Sequence, residues 1–231
     1  MVRQFLKYSA LLLMLLLPLS AEAQIYFCTK QGVKLTYRRT EVRDGSVKWV
    51  DEWTIGSTGT AADGTKTVSY TVFQKDAKGK SKMKAPVTLT VKITPEGDVR
   101  MDLGESAIKL AKAILPKANV IASGKSTVLP SAMRPGDRLA DASVKAGFEK
   151  LFYTADITSR KVLRSETVST PAGRFDCIVI SEHKVEKAPA YSRVTTALTW
   201  YSDGIGMVRH DTYDKDMNLE TSEVLSSVSG M

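Results

Sequence analysis

Residues Arg160–Met217 read RKVLRSETVSTPAGRFDCIVISEHKVEKAPAYSRVTTALTWYSDGIGMVRHDTYDKDM, and this stretch decides the fold class. Apolar and polar residues alternate at period two along it, the pattern of strands buried on one face. Turn signals interrupt the runs at Pro171-Ala172-Gly173, Pro189-Ala190 and Asp203-Gly204.

The same pattern continues upstream. Val33–Tyr37 alternates cleanly and turns at Arg43-Asp44-Gly45-Ser46, where Asp-Gly supplies a positive φ. Val47, Trp49, Trp53 and Ile55 then share one face, and residues 57–65 are small and polar enough for a loop. Val68, Tyr70 and Val72 form a third run, which turns at 76–80. Val87, Leu89, Val91 and Ile93 form the most regular strand. After Pro95-Glu96-Gly97-Asp98 the chain returns through Val99, Met101 and Leu103. Further strands are expected near 148–157, 160–169, 174–184, 192–202, 205–213 and 219–228. Successive hairpins predict a mainly β protein: one large curved antiparallel sheet, an incomplete barrel.

One segment breaks the period. From Glu105 to Leu115 the apolar residues Ala107, Ile108, Leu110, Ala111, Ile114 and Leu115 cover one broad helical face, while Lys109 and Lys112 point away. Glu105 suits the positive end of the helix dipole and Pro116 stops the ladder. This amphipathic helix needs a surface to cover, and the curved sheet provides one. Residues 118–141, punctuated by Gly124, Pro130 and Pro135-Gly136, are expected to be irregular.

Residues 1–23 have the form of a cleaved signal peptide. Arg3 and Lys7 precede a leucine-rich core, Ala10–Leu19, and Ala21-Glu22-Ala23 presents the small-x-small cleavage pattern before Gln24. The apolar run falls short of the roughly 20 residues that span a bilayer. Cys28 follows Ile25-Tyr26-Phe27, which is no lipidation box. The expected product is a soluble periplasmic or otherwise exported domain of residues 24–231, neither a lipoprotein nor an integral membrane protein.

Exported cysteines often pair. Cys28 and Cys177 are the two cysteines outside the leader, so they form either one disulfide or two small buried hydrophobes. The whole chain carries a formal +8. Its lysines are dispersed, densest at Lys78, Lys80, Lys82 and Lys84. They fit a solvated surface and edge protection, and the sharper alternative is attraction to an anionic envelope surface or glycan. They lack the interleaved aromatics of a nucleic-acid platform, so no nucleic-acid partner is expected.

Catalytic chemistry finds no support. His183 and His210 have no ligand-spaced neighbours, and the chain contains no Gly-x-Ser-x-Gly elbow and no phosphate-cradling glycine loop. Asp214, Asp216, Asn218 and Glu220 faintly echo a calcium loop, but a polar hairpin explains them equally. No enzyme activity, metal or cofactor is expected. Trp49, Trp53, Tyr70, Phe73, Trp200 and Tyr201 are core aromatics by default. If the sheet curls without closing, Trp49, Trp53, Tyr70 and Trp200, with Ile108 and Leu115 of the helix, are the residues expected to line its cleft.

Thr170-Pro-Ala-Gly-Arg-Phe-Asp-Cys177 and Trp200-Tyr-Ser-Asp-Gly-Ile-Gly-Met-Val-Arg209 resemble motifs of exported bacterial envelope proteins of unknown function. Tyr26–Tyr37 and Leu129–Leu139 resemble other parts of that family. The resemblance implies a curled antiparallel sheet similar to the LolA/LolB-type lipoprotein-carrier half-barrel, whose members hold acyl chains. It implies no catalytic residue. The resulting expectation is a non-enzymatic envelope protein that binds a lipid, an acyl chain or a partner's apolar segment. A structural or assembly factor acting through basic surface or sheet edges is the alternative.

Overall fold

A computed structural model describes residues 23–81, 83–149 and 151–231. The leader thus lies outside the described residues, apart from Ala23. The strands are β1 (Lys34–Glu41), β2 (Val47–Thr60), β3 (Lys66–Lys75), β4 (Val87–Ile93), β5 (Val99–Met101), β6 (Ile121–Lys125), β7 (Thr127–Leu129), β8 (Ala142–Phe148), β9 (Leu151–Thr170), β10 (Gly173–Ala188), β11 (Tyr191–Ser202), β12 (Gly206–Tyr213) and β13 (Leu219–Ser229). They form one 13-stranded antiparallel sheet in the order β6-β8-β9-β10-β11-β12-β13-β1-β2-β3-β4-β5-β7.

The predicted hairpins are present, but β8 lies where no strand is expected, and Leu103 belongs to a helix and not to the strand returning through Val99 and Met101. Three further differences appear. β2 continues through Thr60, so the first part of the expected 57–65 loop, residues 57–60, is strand. Backbone pairing with Lys66–Val68 outweighs the small polar composition there. Two expected strands merge into the 20-residue β9, bent where Ser159 takes φ 54° and the pairing with β10 slips. The irregular 118–141 segment supplies β6 and β7.

β6 and β7 are the two ends of the sheet and are only one residue apart in sequence. The sheet therefore curls until its edges meet, a nearly closed barrel. The helix α1 (Leu103–Ile114) starts earlier than expected, because Asp102 caps it: Asp102 Oδ1 accepts from Glu105 N at 2.9 Å. β5 ends after three residues, and α1 then rises between β4 on one side and β6 and β8 on the other. It takes a place in the wall that a strand would otherwise hold.

Below the helix the seam is shut by residues 130–140. Gly136 N donates to Val162 O (2.8 Å), Val162 N to Asp137 O (2.9 Å) and Leu139 N to Arg160 O (2.9 Å). Arg160, only 3% exposed, fastens this closure. Its Nη1 donates to Ala140 O (2.8 Å) and to Val128 O (3.3 Å) of β7, and its Nε faces Glu182 Oε2 of β10 at 3.4 Å.

The base of the barrel, at the 203–205 turn, is plugged by the first described residues. Ile25 N donates to Asp203 Oδ1 (2.7 Å), Gly204 N donates to Ile25 O (2.8 Å), and Phe27 meets the Tyr70 ring edge-on at 5.3 Å. Gly206, with φ 94°, lets the backbone of Phe27 approach; a Cβ there would stand 3.4 Å from Phe27 Cα. Above the plug, Leu35, Tyr37, Ile55, Val68, Leu89, Val91, Val162, Val208 and Leu225 are buried in the core.

Cys28 and Cys177 are both buried and unbonded, so the disulfide reading is not realised. Each thiol fills core volume instead. Burial, with Asp176 and Glu166 nearby, pushes Cys177 up to about 12, which leaves it an unreactive thiol.

Arg160→Ala should leave the Glu182 carboxylate and two carbonyls without their donor. A loss of about 3–5 kcal/mol follows for a broken buried pair. It is read as a lower urea midpoint, and an unchanged midpoint would remove Arg160 from its closing role.

Candidate functional site

The helix does not fill the wall where it stands. Its side toward β8 carries Ala107 and Ala111, one turn apart, then Leu115. Ala146 and Phe148 of β8, Phe152 and Tyr153 of β9 and Ala188-Pro189 of the β10–β11 turn line the other side. Alanine side chains are too short to bridge the gap, and a groove of about 340 Å³ remains. At Leu115 and Phe148 it opens into a wider depression of about 840 Å³ bounded by Ile114, Pro116, Lys117 and Glu149. Both fall in the size range of small-molecule sites.

The groove is apolar except at Tyr153, whose hydroxyl donates to Glu186 Oε1 at 2.6 Å. Lys184 lies 3.3 Å from the other Glu186 oxygen. Burial and the Glu186 charge raise the Tyr153 pKa, so the phenol remains a donor. Lys145 Nζ sits 4.7 Å from the centre of the Phe152 ring.

Inside the barrel, towards the mouth, a polar row crosses the strands. Direct cross-strand partners point to one face, and the registers align Thr199, His210, Glu223, Arg39 and Trp49 on β11, β12, β13, β1 and β2. Thr199 Oγ1 and His210 Nδ1 are 2.8 Å apart. Arg39 Nε lies 3.2 Å from Glu223 Oε2, close enough for an ion pair but misaligned for a hydrogen bond. Asp51 Oδ1 and Thr195 Oγ1 are buried without a protein partner. Burial raises Glu223 to about 7 against the pull of Arg39, and raises Asp51 as well. Burial, with Arg39 and Lys184, lowers His210 to about 3.

The residues expected to line a cleft separate into three groups. Leu115 lines the groove, and Ile108 is half-buried on α1 without joining its lining. Tyr70 and Trp200 are 5% and 4% exposed, and Trp53 packs between Tyr37 and Tyr70 at 5.0 and 5.2 Å. Trp53 and Tyr70 belong to the packed interior. Trp200, next to inward-facing Thr199, lies on the outer face of the wall, where Arg209 covers its ring at 4.9 Å and Glu166 accepts from its Nε1. Trp49 lies beneath Arg39 and borders a separate depression near Met83 and Ile114. The groove's alanines were not singled out by the sequence reading. A signal did exist: small residues at i and i+4 on the apolar face of the helix leave that face shallow. Asp214 serves the hairpin, its Oδ1 accepting from Asp216 N and Asn218 N at 2.8 Å each.

A nearly closed antiparallel barrel with one helix in its wall and a groove beside that helix defines the class of fold. The chain belongs to the DUF3108-like family, which matches residues 30–225. Two solved structures share the fold. One is a Bacteroides fragilis protein provisionally described as exported, with a YmcC-like fold (TM-score 0.73, 21% identity, covering 89% of this chain and 99% of that one). The other is a Parabacteroides distasonis protein provisionally described as a lipoprotein (TM-score 0.71, 20% identity, covering 90% and 99%). No curated protein matches the sequence.

The buried row implies opposed pH dependences. Folded Glu223 keeps its proton up to about 7, against 4.5 ordinarily, so its contribution falls as pH rises through that interval. Folded His210 stays neutral down to about 3, against 6.5, so its contribution rises with pH between those values. The two offset from about 4.5 to 6.5. In Glu223→Gln the His210 contribution is opposed by Asp51 alone within the row, and stability should rise with pH across that window, by up to about 2 kcal/mol. His210→Asn should instead show a fall. Urea titrations at several pH values check this; two variants with the wild-type slope would contradict it.

Proposed function

We propose that this is an exported, non-enzymatic envelope protein that holds an apolar ligand, such as an acyl chain, in the groove between α1 and the β8–β9 hairpin. The observation that carries the reading is the groove itself: about 340 Å³ of almost wholly apolar lining, open at one end, in a barrel whose core is otherwise packed. A polar handle stands on its floor at Tyr153, as expected of a site that orients one end of an amphiphile.

Export is supported by the form of residues 1–23 and by structural relatives described as exported or as a lipoprotein. Release of this chain without a lipid anchor is supported by Cys28. A lipoprotein cut before Cys28 would lose Ile25, Tyr26 and Phe27, and Tyr26 and Phe27 belong to the buried core. Among the described residues, no helix is long and apolar enough to cross a membrane. The half-barrel lipoprotein carriers provide the functional analogy, which rests on shape and not on shared residues. An assembly role through strand addition has less support, because α1 lies along β6 and residues 130–140 cover the seam beside β7.

The test uses protein expressed with its own leader, extracted for bound lipid and titrated with a fluorescent long-chain fatty acid. Saturable binding is expected, and Ala111→Trp should weaken it by about tenfold or more, about 1.4 kcal/mol, without lowering the urea midpoint. Absence of both co-purified lipid and saturable binding would sink the reading. Undiminished binding by Ala111→Trp would do the same.

A further inference from the structure

We infer that the open end of the barrel docks on an anionic lipid bilayer. Antiparallel pairing sends the 42–46, 76–86, 189–190 and 214–218 turns to this end, together with the C-terminus of α1, the start of β6 and the β8–β9 turn. Large apolar side chains gather there in the open. Ile114 and Leu115 at the end of α1 are 47% and 46% exposed, Ile121 at the start of β6 is 57%, and Leu151 at the start of β9 is 51%. Tyr191 and Met217 project from neighbouring turns of the same end. Several large apolar side chains left exposed at one end of the barrel mark an interaction surface and not ordinary scatter.

Charge complementarity identifies the partner. Lys78, Lys80 and Lys84 lie on the β3–β4 hairpin, which meets the end of α1 in a depression lined by Lys80 and Ile114, and Lys117 and Lys187 lie at the same end. Turns of this end also carry Asp44, Asp76, Glu149, Asp214 and Asp216, of which Asp44, Asp76 and Asp214 accept from backbone N–H groups of their own turns. The 61–65, 94–98 and 203–205 turns at the opposite end, by contrast, carry Asp63, Glu96, Asp98 and Asp203 and no lysine or arginine. Asp63 and Asp203 are committed there to backbone N–H groups of Thr65 and Ile25. A lysine-rich hairpin beside protruding aliphatic and aromatic side chains fits an interface of anionic headgroups over acyl chains. An acidic protein would meet the lysines but would leave four large aliphatic side chains to be covered by a matched pocket. The bilayer needs no such match. The inference goes beyond the groove reading and does not require an occupied groove, although docking would bring the groove's open end to the lipid.

The test is flotation of the protein, expressed with its own leader, with vesicles of phosphatidylglycerol and phosphatidylcholine in equal parts, and with phosphatidylcholine alone. Binding to the anionic vesicles, weakened by high salt, is expected. Ile121→Glu with Leu151→Glu should lower the partition coefficient by about tenfold or more, since burying one large apolar side chain is worth about that factor. Both sites are exposed, so the fold should tolerate the change; circular dichroism checks this. Lys78→Glu with Lys80→Glu provides a second, independent loss, and Glu96→Ala at the base should change nothing. Equal binding to neutral vesicles, no binding to anionic ones, or full binding by the Ile121/Leu151 variant would each overturn the inference. Loss of fatty-acid binding with vesicle binding intact would count against the groove alone.

Discussion

The structure depends on how the two ends of one long sheet are brought together, and Arg160 is the side chain that joins them. A strand edge left open exposes a row of backbone donors and acceptors. Here the strip of β9 beyond the end of β8 is paired by residues 136–139, and the guanidinium spans from β10 to β7 through Glu182 and Val128. Only arginine supplies several donors in one rigid fork, so the same residue satisfies a carboxylate and two carbonyls that no single strand supplies. With the lower seam shut, the upper seam is left to a helix.

That division accounts for the groove. A strand in the upper position would hydrogen-bond to β4 and β6 and leave no space. A helix is wider than a strand and makes no backbone bonds to its neighbours, so contact depends on side-chain length. Leu110 and Ala113 pack towards the core beside Met83 and Met101. Ala107 and Ala111 face β8 and fall short. The vacancy lies where the polar lumen, through Tyr153 and Glu186, meets an apolar rim. The buried row of Glu223, Arg39 and His210 is the less comfortable part of this interior, with Asp51 Oδ1 and Thr195 Oγ1 unpartnered and two pKa values displaced in opposite directions.

Much of this was legible in the sequence. Period-two alternation at Val87–Ile93 placed a strand correctly, because that strand is buried on one face and the hydrophobic effect writes itself at that period. In β10, by contrast, Cys177–Ile180 are buried on both faces. The switch to a helical period at Ala107–Leu115 was equally plain. The cap at Asp102 was missed by attention to Glu105, although a helix start is marked as strongly by the capping side chain as by the dipole. The pairing of residues 136–139 was illegible. It depends on which β9 residues lie beyond β8, a long-range register that no local pattern encodes. Of the expected cleft residues Trp49, Trp53, Tyr70, Trp200, Ile108 and Leu115, Leu115 lines the groove, while Trp53 and Tyr70 are packed inside the barrel and Trp200 is covered on its outer face. The groove was left by alanines, whose helix propensity masks any other reason for their presence.

Amide hydrogen exchange on the native protein tests the closure most directly. If residues 136–139 shut the barrel, the amides of Gly136, Leu139 and Val162 should be protected to the same degree as those of Tyr37 and Leu225 in the central strands, and exchange with them in one cooperative opening. Exchange of Gly136 and Leu139 at the rate of the exposed 77–79 turn would mean that the seam is open and that the barrel described here does not exist as a closed wall.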